Sequence, residues 1–162
     1  KAFFLKASFL ERTTLTLKKK DYLIDKSIKF ERLVYHASDG GSTPNISIQI
    51  DSTRNLYVHF RIPSSDRMRR TGVYSAVLDE DTYNKLIFQL QNAQIRALRF
   101  GNFKGADSPI ITLIIYYNNT RKYLRSIAPN RIARDLLDYI QLQLANYPGL
   151  RPASGIQELE WP

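Results

Sequence analysis

The chain has 162 residues, no cysteine, and 24 Lys/Arg against 15 Asp/Glu, a formal charge of +9. That length suits one domain, and 43% hydrophobic with 24% charged residues is a globular composition, not a disordered one. Without thiols, a disulfide scaffold, a thiolate metal site and a cysteine nucleophile are excluded, and no apolar stretch approaches the ~20 residues that cross a bilayer as a helix. The positive charge is spread along the chain, apart from Lys18-Lys19-Lys20 and the Arg67/Arg69/Arg70 group. A diffuse charge of this kind serves solubility and attracts anionic partners.

Residues 1–27 read as an N-terminal β-hairpin or extension, and residues 28–162 as a single α+β domain. In the extension, Phe3 to Leu10 and Thr14 to Lys20 are strand-like, and Thr14-Leu15-Thr16-Leu17 alternates as a half-buried strand does. Lys1 is not an initiator methionine, so an upstream segment is expected. From 28 to 36, Ile28, Phe30, Arg32, Val34 and His36 alternate with Lys29, Glu31, Leu33 and Tyr35. The run Ser38 to Asn45 is a loop by its Gly, Ser, Asp and Pro content.

Ile46, Ile48 and Ile50 then face one way and Ser47, Gln49 and Asp51 the other. After a turn at Asp51 to Asn55, Leu56, Val58, Phe60 and Ile62 form an inner face, with Tyr57, His59 and Arg61 outward. A basic loop at 63–70 leads to a short strand at Thr71 to Val77, and a meander of antiparallel strands is the economical arrangement.

Asp79 is a good helix N-cap, with Glu80 and Asp81 where they oppose the helix dipole. Tyr83, Leu86, Ile87, Leu90 and Ala93 make one apolar stripe. The unbroken apolar run Ile110 to Tyr117 predicts a strand covered on both faces. Asn118-Asn119 suits a two-residue turn, since Asn tolerates the left-handed backbone that such turns require. Arg121 to Ile127 is the return strand. A second helix is expected from Pro129 to Tyr147, burying Ile132, Ala133, Leu136, Leu137, Ile140 and Leu144, followed by an irregular tail. The whole is α+β: a twisted antiparallel sheet of about five to seven strands with two helices packed mainly on one face.

Little in this pattern carries chemistry. The two histidines, His36 and His59, stand 23 positions apart with no thiol to join them, so a zinc site is not expected and they read as strand-face residues. No Gly-x-Ser-x-Gly elbow occurs for a serine nucleophile. Asp79-Glu80-Asp81 reads as capping, and Asp107 as a turn residue before Ser108-Pro109. Asp39-Gly40-Gly41 lacks the Gly-Lys-Ser/Thr ending of a phosphate loop, and no helix follows it. No catalytic residue, metal or cofactor is therefore assigned. Asn45-Ile46-Ser47 and Asn118-Asn119-Thr120 fit the glycosylation pattern, which matters only in a eukaryotic secretory protein.

The candidate binding residues are Tyr57, His59 and Arg61 on one outward strand face, beside the loop 38–45, with Arg67, Arg69 and Arg70 as added cations. Aromatic and basic residues on a sheet can stack single-stranded bases and meet phosphates, so a polyanion such as nucleic acid is the alternative to a protein partner.

The Asp39–Asn45 loop, the strand Ile46 to Asp51, Gly72 to Leu78, and Asp107-Ser108-Pro109 before a strand together resemble an uncharacterised bacterial family. Its members are mostly short exported or lipoprotein-like domains with a Cys-x-Gly-x-Cys-Pro loop after the first strand. The resemblance spans roughly residues 28–145. Only Pro44 of that loop motif is present, with Ser, Asp, Gly and Thr in place of the cysteines, so no redox or metal role carries over. What the resemblance implies is architecture and a periplasmic or other extracytoplasmic setting. The expectation is a non-enzymatic binding or accessory domain of an exported bacterial protein.

Overall fold

The computed structural model describes residues 24–38, 45–61, 71–101, 109–153 and 160. The strands expected in residues 1–20, most of the loop 38–45, Arg67, Arg69, Arg70 and Asp107 lie outside the described residues.

Among the described residues, seven strands form one sheet: β1 (Phe30–Ser38), β2 (Ile46–Asp51), β3 (Asn55–Phe60), β4 (Gly72–Val77), β5 (Ile110–Tyr117), β6 (Thr120–Ser126) and β7 (Arg151–Pro152). Their order is β6-β5-β1-β2-β3-β4-β7, and every pairing is antiparallel. β1 to β4 form the expected meander, and the β5–β6 hairpin joins the other side of β1.

Helix α1 is Glu80–Asn92; α2 is Arg134–Asp138, preceded by a 3₁₀ turn (Arg131–Ala133) and continued by a π-helical stretch (Tyr139–Leu144). The protein is thus α+β. Among the described residues, no helix is long and apolar enough to cross a membrane.

Alternation builds one apolar face of the sheet. Leu33, Tyr35, Ile48, Ile50, Leu56, Val58, Leu113 and Ile115 are fully buried. They share one cluster with Leu86 and Leu90 of α1 and with Leu136, Leu137, Ile140 and Leu144 of the second helical segment. Within the helices' end of this cluster, Tyr139 donates to the Thr82 carbonyl at 2.7 Å, and burial, then the nearby Asp79, push its hydroxyl up to about 12. Asp79 caps α1 by accepting from the Thr82 N–H at 2.7 Å.

The structure departs from the sequence expectations at four points. A bulge between Phe30 and Arg32 breaks the alternation read through β1: Phe30 pairs with Tyr117 and Arg32 with Tyr116, leaving Glu31 extra. Ile28 and Phe30 consequently pack with Leu33 and Tyr35, not with Val34. The second helical segment begins after Asn130, whose side chain caps it by accepting from the Ile132 N–H at 3.2 Å, so it starts at Arg131 and not at Pro129. Ile132, expected inside, is 42% exposed because it sits in the tight 3₁₀ turn before the α-helical phase is set. The tail is also not wholly irregular, since Arg151–Pro152 pairs with Ser75 and Tyr74 as an edge strand, where proline's missing N–H goes unused.

Candidate functional site

The face of the sheet opposite that cluster is polar, yet much of it is buried. Strand register sets its rows, because directly opposed residues of antiparallel strands share a face. One row runs Arg125, Thr112, His36, Ser47, His59 and Val73 across β6, β5, β1, β2, β3 and β4. The next runs Tyr123, Ile114, Val34, Gln49, Tyr57 and Ser75. Arg121, Tyr116, Arg32 and Asp51 make the third. His36, Ser47 and Thr112 are each 2% exposed or less, and Val34 and Ile114 not at all.

The expected trio is therefore partly gathered. Tyr57 and His59 are half-buried on this face, and Arg61 follows just past the end of β3. Burial, reinforced by the Arg61 charge, holds the His59 imidazole below its ordinary range. Across Ser47, His36 and His59 lie on either side of β2, closer than their spacing in sequence shows. Among the described residues no group of three His, Asp or Glu side chains is placed to hold a metal ion.

His36 forms the first of two polar constellations. Its Nε2 lies 2.8 Å from the backbone oxygen of Glu160, and its Nδ1 2.8 Å from Ser47 Oγ. A carbonyl only accepts, so Nε2 carries the proton and Ser47 donates to Nδ1. Burial is the main force lowering the His36 pKa; the bond to Glu160 opposes it, and the Arg61 charge assists it. Ser47 is buried within a regular strand, with none of the strained exposure of a nucleophile elbow. This pair satisfies interior polar atoms.

The second constellation is one that the sequence shows only in part. The Glu160 carboxylate accepts from Arg32 Nη2 at 2.7 Å, from the Tyr116 hydroxyl at 2.8 Å, and from Arg121 Nη2 at 3.1 Å. Arg121 Nε also donates to the Tyr116 oxygen at 3.1 Å. The Arg32 guanidinium lies 4.3 Å from the centre of the Tyr116 ring, and Arg121 lies 5.5 Å from that of Tyr123. The bonds to Tyr116 and then Glu160 raise the Arg121 pKa further. Chemically this is a carboxylate clamp: two planar cations and a phenol converge on one anion. The half of it built on β5 and β6 was legible, because a two-residue turn at Asn118-Asn119 dictates that Tyr116 faces Arg121. Arg32 and Glu160 had no such signal, lying 128 positions apart.

No family model, curated protein or solved structure matches the chain.

Proposed function

We propose that the chain is a non-enzymatic binding domain, and that it takes an acidic protein segment on the polar face of the sheet. The observation that carries this reading is the Glu160 carboxylate held by Arg32, Tyr116 and Arg121. A surface that binds one glutamate by charge and direction has the chemistry to bind another. Tyr57, His59 and Arg61 extend the same side of the molecule, and Arg67, Arg69 and Arg70, close to Arg61 in sequence, would add positive charge.

The polyanion alternative has less support in its nucleic-acid form, since base stacking needs an open ring face. Arg32 lies over the Tyr116 ring, Arg121 lies beside that of Tyr123, and Tyr57 is half-buried. For the non-enzymatic part, the support is that both His36 nitrogens are hydrogen-bonded within the chain, to Ser47 and to the Glu160 backbone. An extracytoplasmic bacterial setting rests on the family resemblance alone, and fractionation of cells expressing the complete gene tests it.

Fluorescence anisotropy with a labelled oligoglutamate peptide tests the binding. The full chain should bind at ~50 mM salt and lose affinity steeply by ~500 mM, as screening shortens the reach of the guanidiniums. Replacing Arg32 and Arg121 together by Ala should weaken binding by about tenfold or more, and a labelled oligothymidine should bind less tightly than the peptide. Absence of peptide binding at low salt, or equal affinity for the double variant, would sink the reading.

A further inference from the structure

Glu160 belongs to the same chain as the clamp that holds it. At β7 the chain is at the far edge of the sheet, where the Ala153 N–H donates to the Val73 carbonyl at 2.9 Å. Glu160 nevertheless lies on β1, four strands away along the sheet. Its contact is of two kinds. The side chain is gripped by Arg32, Tyr116 and Arg121, while the backbone carbonyl accepts from His36 Nε2 at 2.8 Å. Recognition of a main-chain carbonyl together with the adjoining carboxylate is how a bound acidic peptide is read, and the glutamate is 22% exposed, within reach of a competitor.

We infer that Glu160 is a built-in competitor: it occupies the carboxylate subsite of the sheet face, and an acidic segment of a partner binds by displacing it. This regulation rests on the acidic-segment reading given above. A ligand tethered to its own site acts at an effective concentration in roughly the millimolar range. The apparent affinity for an outside segment is then reduced to the fraction of molecules whose clamp is open. Two guanidiniums carry the selectivity for a charged occupant, so neutralising Glu160 frees the subsite while leaving its backbone carbonyl and side-chain size in place.

The experiment titrates a fluorescein-labelled oligoglutamate peptide against the full chain, Glu160→Gln, and the exposed-helix control Glu80→Gln. Glu160→Gln should bind about tenfold tighter or better, the control should match the unaltered chain, and adding Arg32→Ala to Glu160→Gln should remove the gain. Equal affinity for the unaltered chain and Glu160→Gln, with Arg32 still required, would overturn the inference and leave the binding reading standing: Glu160 would then be only a clasp. Peptide binding by none of the chains would sink both. A second readout needs no variant: saturating peptide must shift the Glu160 amide resonance of the unaltered chain together with the Tyr116 signals. An unmoved Glu160 resonance under saturation overturns the inference.

Discussion

Asp51 shows how much a single side chain organises here. One oxygen accepts from the Thr53 N–H at 2.9 Å, the Thr53 hydroxyl at 2.7 Å and the Asn55 N–H at 3.0 Å; the other accepts from the Asn55 amide at 3.0 Å. Burial alone would raise this carboxyl, but the bonds from Thr53 and Asn55 outweigh it and hold the pKa low. Asp51→Ala should therefore cost about 2 kcal/mol, read from the urea midpoint. In the same turn Arg54 sits at φ 71°, where a Cβ is strained. Arg54→Gly should stabilise by about 0.5–1 kcal/mol, the opposite sign within three residues. His36 adds a pH dependence. Its folded pKa lies below the unfolded value, so the unfolded state binds more protons in between and stability falls as pH drops below about 6.5. His59 shifts the same way. His36→Gln should flatten part of the loss in unfolding free energy between about pH 7.5 and pH 5.5; an unchanged slope would contradict a buried neutral His36.

At the scale of elements, the two asparagines of the β5–β6 turn look equivalent in sequence and are not equivalent in the fold. Both have positive φ, 50° and 57°. Asn118 also accepts from the Lys29 N–H at 2.6 Å through its side chain and donates to the Ser27 carbonyl at 2.9 Å, which ties the hairpin to the segment leading into β1. Asn119 offers its backbone N–H to the Glu31 carboxylate at 2.6 Å, a bond that glycine would keep. Thermal unfolding should separate them. Asn119→Gly is expected to stay within about 0.5 kcal/mol, and Asn118→Gly to lose about 1–2 kcal/mol with its two side-chain bonds. The second helical segment makes a related point. The Ala145 N–H reaches the Ile140 carbonyl five residues back, and that wider turn accompanies burial of Ile140, Leu144 and Ala145 together.

The molecule as a whole is a sheet buried on two unlike faces. One is apolar and carries the helical side chains in its cluster; the other mixes Val34 and Ile114 with His36, Ser47 and Thr112, all nearly inaccessible. Truncations on adjacent residues of β5 report on this directly. Leu113→Ala on one face and Ile114→Ala on the other should each cost about 2–4 kcal/mol. A solvated second face would confine Ile114→Ala to about 0.5 kcal/mol, and chemical denaturation distinguishes the two outcomes.

Local pattern by itself determined β1 to β6, the Asp79 cap, the turns leading into β3 and β6, and the double burial of Ile110 to Tyr117, because periodicity and turn chemistry act over a few residues; it did not show β7. It missed the bulge at Glu31 and the exposure of Ile132, where neighbouring elements reset the phase. Tyr57 and His59 were legible as one side of β3, with Arg61 just past its end, and Tyr116 opposite Arg121 follows from the hairpin. Only the tertiary structure decided that β1 lies beside β5, setting Arg32 next to Tyr116, and that Glu160 closes on them. A contact between residues more than a hundred positions apart is selected by the packing of the whole chain, and no local preference encodes it.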